Sequence, residues 1–236
     1  IEKYRPETIQ SIALSDDNRE IVKKFYHDKE IPNLLFVGNA GIGKTSLAKI
    51  LVHDALQCQY LYINASDENG IDTIRTKVTN FSRVKSLDGN IKVIILDEVD
   101  GLTLDAQRAL RNTMEEYSAY TRFILTANYK HKVIPPLQSR CQTLDLVPPL
   151  NEFVDRCFNI LQSESIKADL KDVEKISREL YPDLRQTINE MQKCSISGEF
   201  VLRDKKGNES LIKALFELIK SNNVLKARKM VIQNEV

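Results

Sequence analysis

Along the first 147 residues, short continuous apolar runs alternate with stretches whose apolar residues return every three or four positions. Runs of the first kind fit strands buried on both faces; stretches of the second kind fit helices laid across them. The predicted strands are Leu34 to Val37, Tyr60 to Asn64, Val93 to Leu96 and Arg122 to Thr126, with Gln142 to Leu146 as a fifth. Lys44 to Leu56, Ile71 to Phe81 and Leu104 to Glu116 are the predicted crossover helices. The pattern implies an α/β domain over residues 1–147, a parallel sheet with helices on both faces.

Pro148 and Pro149 stop this rhythm, because proline removes a backbone donor and fixes its own φ. A domain boundary is expected there. Asn151 to Gln162, Leu170 to Leu180 and Asp183 to Lys193 read as helices of a small all-helical lid over residues 148–200, the second ending before Pro182. After the polar turn Arg203 to Asn208, Ser210 to Lys220 and Val224 to Ile232 read as two amphipathic helices over residues 201–236. Two helices bury little alone, so this segment either packs on the lid or begins a third helical domain that is cut short. The chain opens on Ile1 rather than Met, which fits a fragment of a longer product.

Composition narrows the function classes. With 42% apolar residues in 236, the chain can bury a substantial core. Thirty-four basic and 33 acidic side chains leave a net charge of +1, so any nucleic-acid contact has to come from a local patch. Cys58, Cys141, Cys157 and Cys194 form no C-x-x-C pair, which argues against a zinc module or a disulfide framework and for reduced thiols. No apolar run approaches the roughly 18 residues of a membrane helix, and no membrane partner is expected.

The chemistry concentrates at three strand ends. Gly38-Asn39-Ala40-Gly41-Ile42-Gly43-Lys44-Thr45 fits G-x-x-x-x-G-K-[ST] between a predicted strand and a predicted helix, the context that a phosphate loop requires. Glycines let backbone N–H groups turn inward around a β-phosphate. Lys44 is expected to reach the β- and γ-phosphates and the Thr45 hydroxyl to ligate magnesium, with Ser46 closing the nucleotide-binding set. The strand Val93 to Leu96 runs into Asp97-Glu98-Val99-Asp100, carboxylates at the sheet edge where ligands of open α/β sheets bind. Asp97 suits the magnesium shell, and Glu98 is placed to orient or deprotonate a water that attacks the γ-phosphate. Taken alone, that segment also reads as an acidic surface turn. A third strand ends at Thr126-Ala127-Asn128, where an amide can hold the water or a γ-phosphate oxygen, or simply shape a turn.

Between these ends lie Glu2-Lys3-Tyr4-Arg5-Pro6, Asn64-Ala65-Ser66-Asp67, Asp105-Ala106-Gln107-Arg108-Ala109-Leu110-Arg111 with Met114-Glu115, and Ser139-Arg140-Cys141. In these segments the chain resembles, over essentially its whole length, the small subunits of sliding-clamp loaders. These form the replication factor C and T4-type phage loader family of AAA+ P-loop NTPases. The short link between helix and acidic strand is closer to the phage loaders than to eukaryotic replication factor C. The resemblance implies an AAA+ core, a helical lid and the start of a C-terminal collar.

The resemblance also assigns roles that spacing does not. Arg140 is similar to the arginine finger that completes a neighbouring subunit's site in trans; without the family it is an ordinary arginine beside Cys141. Arg185, in Pro182-Asp183-Leu184-Arg185, matches the lid arginine that meets γ-phosphate in the same subunit, although periodicity alone makes it solvent-exposed. Tyr4, Arg5 and Pro6 match the adenine side, where a frayed terminus is the plain alternative. Gln107 is similar to a glutamine that couples neighbouring sites and Arg111 to a residue facing the adjacent subunit; both also fit solvated helix positions. Arg75 matches a position that tracks the DNA backbone, with Lys77 nearby, and either also fits surface charge without a partner. Asn69 stands where replication factor C subunits carry a basic residue that touches DNA and restrains the catalytic glutamate, and Arg83 and Lys85 are candidates to compensate.

The function implied is a magnesium-dependent ATPase subunit that, with like subunits, opens a sliding clamp and places it on primer–template DNA. Its turnover would depend on neighbours, clamp and DNA. The compartment implied is the cytoplasm, the host cytoplasm for a phage protein and the nucleus for a eukaryotic one. A small-molecule kinase shares the phosphate loop, but Asp97-Glu98, Asn128 and Ser139-Arg140-Cys141 argue against it. A branch-migration type AAA+ ATPase and an ATP-gated scaffold with little turnover are the remaining alternatives.

Overall fold

Successive side chains of a strand point to opposite faces, so a strand whose two sets are both apolar has to be covered on both sides. A computed structural model, which describes residues 2–84, 86, 90–195, 199–202, 216–220, 226 and 228, shows five strands in one sheet, the three inner ones buried on both faces and the two edge strands partly exposed. They are β1 Leu34–Val37, β2 Tyr60–Asn64, β3 Lys92–Asp97, β4 Thr121–Ala127 and β5 Gln142–Asp145, in the order β2-β3-β4-β1-β5, all neighbours parallel. Helices α1 Asp16–Asp28 and α2 Lys44–Ile50 cover one face, where Val22, Phe25 and Leu47 pack with Leu34, Phe36, Val93 and Ile95. The alternate set Leu35, Val37, Ile94 and Leu96 packs on the other face with Ile74, Val78, Ala106 and Leu110. Each fully buried Leu or Phe in these layers contributes about 1.5–3 kcal/mol of transfer free energy.

The crossovers differ in winding from the uniform helices that periodicity predicts. Lys44 to Leu56 is α-helical to Ile50 and then widens into a π-helical segment, Leu51–Leu56. Ile71 to Phe81 begins as α3 Ile71–Thr73, continues as a π-helical segment Ile74–Val78 and ends as α4 Thr79–Arg83. Helix α5 is Leu104–Glu116, and the short α6 is Pro135–Gln138.

Three helices pack beyond the sheet: α7 Leu150–Ser163, α8 Leu170–Leu180 and α9 Leu184–Cys194. Phe153, Cys157, Ile160 and Leu161 recur on one stripe of α7 and close a separate core with Val173, Ile176, Ile188 and Met191. Arg19 of α1 holds both carboxylate oxygens of Glu152 at 2.7 Å, joining this unit to the first. Residues 216–220 are helical, while the expected turn Arg203 to Asn208, most of Ser210 to Lys220 and Val224 to Ile232, and Lys85 lie outside the described residues.

From β1 the chain crosses to β2 at one edge, and it returns to β5 on the opposite side of β1. That reversal opens a crevice beyond the C-terminal ends of β1, β3 and β4, the three strand ends that carry the candidate chemistry.

Candidate active site

The phosphate loop turns where only glycine is comfortable. Gly43 takes φ 98° at the N-cap of α2, and Gly41 takes φ 76° directly beneath the lid. Lys44, the first helical residue, is 7% exposed. Its ammonium donates to Gly38 O at 2.9 Å, Asn39 O at 2.7 Å and Asn128 Oδ1 at 2.7 Å, which uses its three protons. Burial pulls the Lys44 pKa down; the carboxylates of Asp97, Asp100 and Glu98 pull it back up, and the Arg185 guanidinium lowers it further.

Asp97, at the end of β3, is the hub of the acidic side. Thr45 Oγ1 donates to it from 2.8 Å, equally distant from both carboxylate oxygens. Thr126 Oγ1 donates to Asp97 Oδ1 at 2.5 Å, and the Tyr62 hydroxyl donates to Oδ2 at 2.9 Å. Thr126 Oγ1 also accepts the Glu98 N–H at 2.9 Å. Glu98 itself sits at φ 59°, ψ 48°, left-handed for a residue with a side chain, and its Oε2 accepts from Ser66 Oγ at 2.5 Å. Asp100 accepts from the backbone N–H groups of Asn128 and Tyr129 and so holds the end of β4 against the acidic loop.

A cleft enclosing about 1060 Å³, open to solvent, joins loop, carboxylates and lid. Tyr4, Arg5, Pro6, Ala40, Gly41, Ile42, Gly43, Lys44, Thr45, Ser46, Asp97, Glu98, Asn128 and Arg185 all line it. Gly38 and Asn39 stand outside that lining and serve it through carbonyls bonded to Lys44. Arg185 falls in the first turn of α9, where a cation opposes the helix dipole. Lys44 and Arg185, with Arg5 and Arg156 along the same cleft and an unfavourable helix end, form an arrangement that an anion relieves.

Sequence reasoning missed several lining residues. Ile12, Ala13, Phe153, Arg156 and Ile188 close the apolar end beside Tyr4, and Arg156 donates to the Tyr4 carbonyl at 3.1 Å. The apolar spacing of Ile12, Ala13, Phe153 and Ile188 carried only a packing signal. Tyr62, Thr126 and Ser66 were missed as well; the signal for Thr126 was a hydroxyl beside a strand end already singled out, and for Tyr62 and Ser66 a hydroxyl two positions from the end of β2.

The remaining candidates lie away from the cleft. Arg140 does not line its own chain's site; it donates to Pro136 O at 2.7 Å and pairs with Glu115 of α5. Gln107 is 1% exposed, which corrects the solvated alternative: Nε2 donates to Leu102 O and Lys132 O, and Oε1 accepts from Ile134 N. Three backbone partners presented inward explain its burial. Arg111 is half-buried on α5 and bonds to Asn112 Oδ1. Arg75 is exposed, whereas Lys77 is paired with Glu68 at 2.6 Å. Asn69 is exposed, and the side chain bonded to Glu98 is Ser66.

Residues 34–149 match the model of the ATPase family associated with various cellular activities. A replication factor C small subunit of Methanococcus maripaludis is 38% identical over 98% of this chain and 77% of its own length. Those of Sulfurisphaera tokodaii and Sulfolobus acidocaldarius are 44% identical over 84% and 85% of this chain, which spans 62% and 64% of their lengths. The Holliday junction branch migration motor RuvB of Thermotoga maritima superposes with a TM-score of 0.67 over 92% of this chain and 80% of its own, at 16% identity, a likeness of fold. With 38% identity carried across 77% of a curated relative, on the fold of an AAA ATPase, the chain belongs to the replication factor C small subunit family.

Proposed function

We propose that the chain is an ATP-hydrolysing subunit of a sliding-clamp loader, acting with like subunits to open a clamp and set it on primer–template DNA. The observation that carries the nucleotide site is that Lys44 and Arg185 line the same cleft as Asp97, with the Arg185 charge bearing on Lys44. Polyphosphate between them neutralises both cations and draws the lid toward the loop. The division into a core of residues 1–147, a lid of 148–200 and a C-terminal helical segment of 201–236 belongs to the same proposal.

A hydroxyl and one carboxylate are the hard oxygen donors that magnesium prefers, and no group of three His, Cys, Asp or Glu side chains suited to a metal occurs among the described residues. Magnesium then belongs to the nucleotide complex, held by Thr45 and Asp97, where it supplies positive charge to phosphate oxygens. Glu98 orients the attacking water and receives its proton; Asn128 exchanges its bond with Lys44 for one to the water or γ-phosphate. Tyr4, Arg5 and Pro6 close on adenine. Arg140, outside its own cleft, serves the next subunit once released from Glu115, and Gln107 ties helix α5 to the 132–134 segment between the two sites. Arg75 follows the DNA backbone, while Lys77 first has to leave Glu68.

Steady-state ATPase of the assembled complex, alone, with primer–template DNA, and with DNA plus clamp, tests the reading. Stimulation by the full set is the expected result; equal rates in all three conditions overturn it. Among described residues no helix is long and apolar enough to cross a membrane, and the partners proposed are other loader subunits, clamp and DNA.

A further inference from the structure

Asp97 is approached from three sides, and the approaches differ in kind. Thr45 Oγ1 lies on the bisector of the carboxylate, 2.8 Å from each oxygen. Thr126 fixes Oδ1 from the neighbouring strand β4, and Tyr62 fixes Oδ2 from edge strand β2. Tyr62 does not line the cleft. Its ring is held in turn by Lys49 of α2, whose Nζ lies 4.6 Å from the ring centroid.

We infer that Tyr62 is a positioning residue for the cation site: its hydroxyl, opposite that of Thr126, locks the plane of the Asp97 carboxylate so that the Thr45-facing bisector is presented to magnesium. The inference rests on the nucleotide reading of the cleft and deepens it. A carboxylate hydrogen-bonded at one oxygen can still swing about its Cβ–Cγ bond; one held at both oxygens by separate strands cannot. Lys49 adds a second function to the same residue, because a cation over the ring anchors the phenol from the helix that follows the phosphate loop. The phosphate loop, Asp97 and β2 are thereby tied through one side chain.

The test is equilibrium binding of a fluorescent, non-hydrolysable ATP analogue to the purified chain, titrated with magnesium, for wild type and Tyr62→Phe. The metal-free affinity of each protein reports fold and nucleotide cleft; the magnesium concentration at half effect reports the cation site. Tyr62→Phe is expected to keep metal-free affinity within about twofold and to raise the magnesium midpoint about tenfold, the low end for partners that orient a metal ligand. Lys49→Met, which removes the cation and keeps the hydroxyl, is expected to shift the midpoint in the same direction by less. An unchanged midpoint in Tyr62→Phe with normal metal-free binding overturns the role of Tyr62 alone. A wild-type chain that binds no analogue overturns the nucleotide reading and this inference with it.

Discussion

Gly41 of the phosphate loop and Asp183 of the lid touch with no room for a methyl group: a Cβ on Gly41 would overlap Asp183 Oδ1 and lie 2.8 Å from its carboxyl carbon. Asp183 cannot simply turn away, because Oδ1 caps α9 by accepting from Gln186 N at 2.9 Å. Gly41→Ala is therefore expected to push the lid off the loop and weaken ATP binding about tenfold, equivalent to roughly 1.4 kcal/mol. The double variant with Asp183→Ala should recover part of the loss in the same fluorescence titration. Wild-type affinity in Gly41→Ala would show that lid and loop move independently.

A 2.5 Å bond from Ser66 Oγ occupies Oε2 of Glu98, the proposed water-orienting carboxylate. A hydrogen bond to a charged group is worth about 1.5–3 kcal/mol. Ser66→Ala is expected to raise ATP turnover of the assembled loader without DNA by about tenfold, with ATP affinity unchanged. A fall in turnover would mean that Ser66 aligns Glu98 for reaction and does not restrain it.

Much of this site was legible because strand ends are marked by a change of residue type. The boundaries of β1 and β2, of α5 and of α8 coincide with the expected ones, since apolar runs there stop at glycine, polar or capping residues. Helix α1 was not expected, although Ser15 with Asp16 and Asp17 spells a helix start and Val22 and Phe25 supply its buried stripe. The contacts that aim the carboxylates were hidden for a different reason. Tyr62, Ser66 and Thr126 meet Asp97 and Glu98 only through sheet pairing between strands about 30 positions apart in sequence, and periodicity carries no register. Arg140 and Arg185 were separable from ordinary surface charge only by the family pattern.

Gln107 satisfies Leu102 O, Lys132 O and Ile134 N from a position 1% exposed. Gln107→Leu keeps the volume and strands those backbone groups, each worth about 1–3 kcal/mol when buried without a partner. Urea unfolding should show a loss of about 2–4 kcal/mol after partial relaxation. A loss below about 0.5 kcal/mol would mean that the 132–134 segment finds other partners.

Burial pushes the Cys141 thiol up to about 12 and the Cys157 thiol up to about 11. Unfolded thiols titrate near about 8.5, so below that pH neither state releases a proton and stability is unaffected. From there to about 11 to 12 the unfolded chain ionises while the native chain does not, so stability falls as pH rises, levelling once the native thiols ionise. Urea midpoints at pH 8, 9 and 10 under reducing conditions should decline, and Cys141→Ala and Cys157→Ala should each flatten the slope. Parallel slopes in wild type and both variants would contradict the assignment.

One hydroxyl, that of Thr126, bonds both to the Asp97 carboxylate and to the Glu98 backbone. For the Glu98 N–H the arrangement has no redundancy, while Asp97 also keeps Thr45 and Tyr62. A chain that drifts to valine here strips the Glu98 N–H of its acceptor and Asp97 of one of its three hydroxyl donors in a single step, and a chain that keeps a hydroxyl inherits both settings together. The two acidic residues are thus one heritable unit, and divergence among relatives should alter them jointly or leave them both alone.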